Sequence, residues 1–244
     1  MTGDTAVIIP AADEADRIAA TVKAAHELPG ADLVVVVDDG SSDGTGRVAR
    51  EAGARVVRHS RNRGKGAAME SGAEAVRLLD DGREQPRHLL FLDADLAETA
   101  RDAAPLTEPV RSGEADMTIA VFTTTVKLGG HGFVVRLSRD GIRRATGWEA
   151  TAPLNGQRCL TRAAFDAALP LAAGFGVETA LTIDLLREGF RVREVEVPLA
   201  HRATGTDLRA QLHRARQFRD VARALAVREP AVTRRIDRLR GNRR

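Results

Sequence analysis

Three times in its first hundred residues this chain runs through a short apolar stretch and breaks into a polar cluster. Ala6-Val7-Ile8-Ile9 breaks at Pro10-Ala11-Ala12-Asp13-Glu14, residues 33–37 (LVVVV) at Asp38-Asp39-Gly40-Ser41-Ser42, and residues 89–92 (LLFL) at Asp93-Ala94-Asp95. Unbroken apolar runs of this length read as strands buried on both faces, as in parallel sheets. Between them lie helical spacings: Ile18, Val22, Ala25 and Leu28, then the segment Lys65–Leu79. Strand, helix, strand, helix predicts βαβ units, an α/β fold with a mostly parallel central sheet flanked by helices. In open sheets of this type ligands sit beyond the carboxyl ends of the strands. All three polar clusters fall at such ends.

The remaining elements follow from the same patterns. Residues 47–52 read as a short helix, Arg55–Arg58 as a strand, and residues 115–121 as a fifth strand. A polar loop over 123–132 precedes a helix at 133–145. Residues 154–160 read as a strand crossing back, 174–178 as a loop opening a helix to about residue 187, and 191–197 as a last strand. There is no internal repeat and no low-complexity linker. The expectation is one domain over 1–228: a donor half at 1–125, an acceptor half at 126–208 and a basic amphipathic helix at 209–228, with an Arg-rich tail at 229–244.

Composition narrows the function. A chain of 244 residues with 43% hydrophobic and 3% aromatic residues must build its core from Val, Leu, Ile and Ala. The single cysteine, Cys159, excludes an internal disulfide and a multi-cysteine zinc site, which fits a reducing cytoplasm. No apolar run approaches the ~20 residues a membrane span needs. The opening MTGDTAVIIP has no basic region before its short apolar segment and reads as a first strand. The net charge of +3 and pI near 9.7 come from arginines concentrated after Arg209.

Each cluster admits a chemical and a structural reading. In extended chain, side chains two apart share a side, so Asp93 and Asp95 would present oxygens to one divalent cation, Mg²⁺ or Mn²⁺. Equally, they would be solvated aspartates capping a helix. Asp38 and Asp39 would accept hydrogen bonds from a base or ribose, or form an ordinary strand–turn–helix junction. In residues 60–67 (SRNRGKGA), Lys65 between two glycines at a helix start would meet a diphosphate, or be a solvated base. The P-loop spacing is absent.

The segments AVIIPAADE, VVVVDDGSSDGT, NRGKGAA and FLDADL, in this order and spacing, resemble the nucleotide-diphospho-sugar transferase (GT-A) fold of family 2 glycosyltransferases. The nearest flavour is that of polyprenyl- or dolichyl-phosphate sugar synthases and glucosyl-phosphoglycerate synthases. The likeness covers about residues 5–125 and continues more loosely through GFGVET at 174–179 and VPLAHR at 197–202. It implies that Pro10, Ala11, Ala12, Glu14, Asp38 and Asp39 hold the nucleoside, and that Asp93-Ala94-Asp95 holds metal and diphosphate. Lys65 and Arg202 would neutralise phosphate charge, and His201 would complete the metal shell beside Asp93 and Asp95. Asn155, Gly156 and Gln157 would wall the sugar, with Gly176 and Glu178 on the sugar or acceptor side. Asp95 and Glu178 are the expected catalytic residues. One departure is Ala12-Asp13-Glu14, where the family usually has Asn-Glu.

The implied reaction moves a hexose from a UDP- or GDP-sugar to an acceptor. An acceptor hydroxyl needs a base within reach; a phosphate acceptor does not. Glu178, Asp140 and Asp184 are the carboxylates of the second half. Lys127, Arg136, Arg139, Arg143 and Arg144 would suit an anionic acceptor, or form a solvated face. The helix carrying Arg209, Arg214, Arg216, Arg219, Arg223 and Arg228 would lie on the inner face of an anionic membrane, or pack its Leu212, Phe218, Val221 and Leu225 side on the domain. Two competing functions remain. A nucleotidyltransferase of the same fold would carry a G-x-G-T-R-L-type loop that Pro10-Ala11-Ala12 does not supply. In a nucleotide- or nucleic-acid-binding module, the anionic strand-end edge would repel a phosphate backbone, so no nucleic acid is expected. The acceptor and the oligomeric state stay open, a homodimer among the options.

Overall fold

The computed structural model describes residues 4–123, 132–199 and 208–228, with side chains of the last segment from residue 215 onward. The first half alternates regularly: β1 (Thr5–Ala11), α1 (Ala15–His26), β2 (Ala31–Asp38), α2 (Thr45–Glu51), β3 (Arg55–Arg58), α3 (Lys65–Leu79) and β4 (His88–Phe91). A 3₁₀ segment, Ala97–Leu106, and the short α4 (Glu108–Arg111) lead to β5 (Met117–Phe122). The second half carries α5 (Gly132–Thr146), β6 (Arg158–Leu160), α6 (Arg162–Ala167), a 3₁₀ turn (Gly174–Gly176), α7 (Val177–Arg187), β7 (Val192–Val197) and α8 (Leu208–Val227).

The seven strands form one sheet in the order β3-β2-β1-β4-β6-β5-β7. All neighbours pair in parallel except β6, which runs antiparallel to both β4 and β5. Alternation along β1 sends Val7, Ile9 and Ala11 into one core with α1 and the 3₁₀ segment. Ala6 and Ile8 enter the other, with α3 and α7. Both faces are covered, which is why the strands read as continuous apolar runs. The strand ends are level: Ala11 pairs with Asp38, and Phe122 with Val197. Their polar continuations therefore meet along one edge.

Two expectations need correction. The strand foreseen over 154–160 is only Arg158–Leu160, because Asn155 turns the chain: its amide donates to Ala120 O (2.8 Å) and its Oδ1 accepts Gln157 N (2.9 Å). Strand β4 stops at Phe91, and Ala94-Asp95 form a turn, so the two-residue alternation that aligned Asp93 with Asp95 does not apply there. Among the described residues no helix is long and apolar enough to cross a membrane.

Candidate active site

A cavity of about 810 Å³ opens at the carboxyl edge of the sheet. Pro10, Ala11, Ala12 and Glu14 line it from the end of β1, Asp39 and Asn62 from the loops beside it, and Asp93, Ala94 and Asp95 from beyond β4. Lys65 enters from the start of α3. The opposite wall is the irregular segment Thr151–Asn155, with Phe122, Val135, Phe175 and Gln217.

The polar turns stitch the loops together. Ser41 Oγ accepts Asp13 N (3.0 Å), Asp13 Oδ1 accepts Ser42 N (2.8 Å), and Thr45 Oγ1 accepts Glu14 N (2.9 Å). Asp13 holds a left-handed φ of 54° within this mesh. Asp39 is 4% exposed and fully committed. Its Oδ1 accepts Arg63 N (2.8 Å) and meets His59 Nδ1 (2.6 Å), and its Oδ2 accepts Gly64 N (2.8 Å). Asp39 therefore fixes the backbone that delivers Lys65. Asp38 departs from expectation: it is buried, accepts Ser41 N (2.9 Å), and lies outside the cavity lining. Gly46 is required beside it, since a Cβ there would lie 2.5 Å from Asp38 Oδ2.

Lys65 Nζ sits 2.8 Å from Asp93 Oδ1 and 3.1 Å from Glu178 Oε1. Burial acts to lower the ammonium's pKa, but the two carboxylates outweigh it and hold the pKa above the ordinary lysine range. Asp93 Oδ2 accepts Gln157 Nε2 (2.7 Å). Asp93, Lys65, Gln157 and Glu178 are thus one connected cluster. Gly156 closes over it: a Cβ there would lie 2.2 Å from Lys65 Nζ. Glu178, expected as base or sugar contact, is 8% exposed, stands against Lys65 and does not line the cavity; Gly156, Gln157 and Gly176 also lie outside the lining. Gly176 instead packs on α8, where a Cβ would meet Asp220 O at 2.6 Å.

The turn that carries Asp95 is held by Thr21 of α1, which donates to Ala94 O (2.8 Å) and accepts Ala97 N (2.9 Å). The far wall is bolted from behind. Glu194 accepts Thr151 N and Ala152 N (both 2.7 Å), and Arg139 donates to Ala150 O (2.8 Å) and Thr151 O (3.1 Å). Arg158, fully buried, donates to Asn155 O (2.8 Å), Pro153 O (3.2 Å), Glu178 O (3.0 Å) and Thr182 Oγ1 (2.9 Å). Burial pulls its pKa down to about 10 against the opposing pull of Glu178 and Glu194.

Of the arginines read as an anion site, Arg136, Arg139, Arg143 and Arg144 do not line the cavity. Arg139 braces the wall, and Arg143 pairs with Asp140 and Glu149. Lys127, His201 and Arg202 lie outside the described residues. Sequence reading missed Thr21, His59 and Gln217, while Phe175 lies within the GFGVET segment already singled out. Only His59 carried a signal, as a histidine beside the SRNRGKG loop; the others are ordinary helix or turn residues until the fold juxtaposes them.

Among the described residues no group of three His, Cys, Asp or Glu side chains forms a metal cage. Both Asp93 oxygens are engaged within the protein. Asp95 lines the same cavity, and a cation there would be shared with ligand phosphates, the mode usual for Mg²⁺.

The glucosyl-3-phosphoglycerate synthase of Mycobacterium tuberculosis, solved with Mg²⁺ and UDP, superposes with a TM-score of 0.74 at 25% identity, over 93% of this chain and 79% of that one. The same enzyme solved with phosphoglyceric acid gives 0.72 at 26% identity. In sequence, the glycosyltransferase AglJ of Haloferax volcanii is 29% identical over 209 residues, 82% of this chain and 64% of that protein. The succinoglycan biosynthesis protein ExoU of Rhizobium meliloti is 46% identical over 155 residues, 58% of this chain and 45% of that one. This chain thus spans less than two thirds of either curated relative. The profile described as glycosyl transferase family 2 matches residues 6–166, from the first strand through β6 and α6, and the chain belongs to that family.

Proposed function

We propose that this chain transfers a hexosyl group from a nucleoside-diphosphate sugar, UDP- or GDP-linked, to an acceptor. The observation that carries this reading is Lys65 held between Asp93 and Glu178 beside Asp95 at the strand-end cavity. A lysine so held stays charged and fixed, ready to stabilise the charge that develops on a departing diphosphate. Pro10, Ala11, Ala12 and Glu14, with Asn62, line the part of the cavity suited to the nucleoside. Asp95 would hold Mg²⁺ or Mn²⁺ together with the diphosphate, with Asp93 orienting Lys65. A bound cation supplies Lewis-acid stabilisation of the leaving group. His201 and Arg202 remain proposed metal and phosphate contacts on the resemblance alone.

The mycobacterial neighbour was solved with phosphoglyceric acid, which supports a phosphorylated acceptor here. The lining of the described cavity does not: its one cation among the described residues is Lys65, assigned here to the diphosphate. The exposed arginines of α8 and the stacked, exposed Phe133 and Phe218 (ring centroids 5.4 Å apart) support contact of this side with an anionic membrane from the cytoplasmic face.

The test is thermal unfolding with UDP, GDP, UDP-glucose and GDP-mannose, each with and without Mn²⁺ or Mg²⁺. A ligand at ~100 times its dissociation constant adds about 2.7 kcal/mol, or roughly 5–10 °C for a chain of this size. One nucleotide should give a metal-dependent shift that Asp95→Ala abolishes. If no nucleotide shifts the wild type, the donor reading fails.

A further inference from the structure

Helix α8 is part of the cavity wall, and its position is fixed. Asp220 Oδ2 accepts Phe175 N (3.3 Å), Val221 is fully buried, and Gly174 and Gly176 leave room for the helix where a Cβ would meet Asp220 at 2.2 Å and 2.6 Å. One turn before Asp220, on the same side of the helix, stands Gln217, which lines the cavity with Phe175 and Val135. Its Oε1 is buried and has no hydrogen-bond partner among the described residues. A buried carboxamide oxygen left without a donor is costly, and no described residue offsets it. Asn155, the amide on the facing wall, is different: its nitrogen donates to Ala120 O and its oxygen accepts Gln157 N. One amide is spent on the fold and the other is not.

We infer that Gln217 is a recognition residue for a carbohydrate hydroxyl, an inference that rests on the transferase reading above. The chemistry selects the ligand class. A carboxamide both donates and accepts, as a hydroxyl does. The neighbouring lining, Phe175 and Val135, is apolar and suits the carbon faces of a sugar ring. Among the described residues the one cation lining the cavity is Lys65, assigned above to the diphosphate, so the end at Gln217 favours a neutral polyol over an anion. The terminal amide torsion is soft, so a ligand hydroxyl can turn the group toward itself. Two sources share this chemistry: the sugar being transferred and a glycosyl acceptor.

The experiment uses the full chain and Gln217→Leu, which keeps the volume against α8 and removes the amide. Calorimetric titrations compare UDP with UDP-glucose, and GDP with GDP-mannose, in the metal found effective above. A second arm titrates methyl glucoside and methyl mannoside into the nucleotide-loaded protein. Gln217→Leu should bind the nucleoside diphosphate as the wild type does. It should lose roughly 3- to 10-fold of the added affinity from the donor sugar, or the same factor for the methyl glycoside, as expected for one neutral hydrogen bond. The first loss assigns the donor sugar, the second the acceptor. Its ligand-free melting temperature should equal or exceed wild type, since an unpartnered polar group has been removed. Unchanged affinity in both arms overturns the inference. So does a lower melting temperature with equal loss for the nucleoside diphosphate, which would make Gln217 structural. Failure of every nucleotide to bind the wild type sinks the donor reading itself, and this inference with it.

Discussion

The two halves of the molecule deliver side chains to one cavity by different means. From β1 to β4 the contributions continue parallel strands, with Lys65 added from the start of α3, and neighbouring loops are tied by short polar side chains that accept backbone amides: Asp13 with Ser42, Asp39 with Gly64, Thr45 with Glu14. Beyond β5 the contributions come from an irregular wall, a 3₁₀ turn and helix faces. They are held by long side chains reaching across the fold, above all Arg158, Arg139 and Glu194. A strand end places its next residues almost by itself. A helix face reaches the site only if everything between packs correctly.

Arg158 should expose this difference most strongly. Arg158→Met takes the guanidinium donor from the Asn155 and Pro153 carbonyls, each worth roughly 1–3 kcal/mol, while Glu178 O keeps Thr182 Oγ1. The loss should exceed about 3 kcal/mol, lowering the melting temperature by more than ~6 °C. Nucleotide affinity measured below the transition should fall far less, since the donor side is braced independently. An equal collapse of both would mean the halves are not separable.

A matched pair of glycines comes next. Gly72→Ala in the first half would set a Cβ 2.4 Å from Ile8 Cγ2, and Gly176→Ala in the second would set one 2.6 Å from Asp220 O. Both overpack, at about 1–3 kcal/mol. Gly176→Ala must push α8 off its seat and should also weaken sugar-dependent binding. Gly72→Ala should cost stability alone. Denaturant melts with paired UDP and UDP-glucose titrations read both; the reverse pattern would put α8 outside the site.

The smallest effect concerns His59, whose Nδ1 meets Asp39 at 2.6 Å and whose Nε2 meets Ser71 Oγ at 2.9 Å. His59→Gln should weaken nucleotide binding by about 3-fold, roughly half the value of a single hydrogen bond counted in logarithms, because Asp39 loses one of its three anchors. His59→Asn should restore part of it. Equal affinity in all three would show that the two backbone amides suffice.

What was legible in the sequence follows the same division. Unbroken apolar runs ending in Pro10, Asp38 and Asp93 announce both the sheet and the edge at which the cavity opens, since strand direction and ligand edge are coupled in α/β folds. The β4 turn was misjudged by extending strand alternation two residues too far. Asp38 was grouped with Asp39 because adjacency in sequence hides that neighbours on a strand face opposite ways. Gln217 was invisible: an amide among arginines on an amphipathic helix looks solvated until Gly174, Gly176 and Asp220 seat that helix against the cavity.

The wall Thr151–Asn155 has no regular secondary structure, yet its backbone is pinned by Glu194, Arg139 and Arg158 from outside the segment. Those restraints grip main-chain atoms and are indifferent to what Pro153 and Leu154 carry toward the cavity. Substrate preference and structural integrity are thereby uncoupled at this place. A chain built this way can be retuned, by selection or by an engineer, through two or three side chains while its scaffold stays untouched.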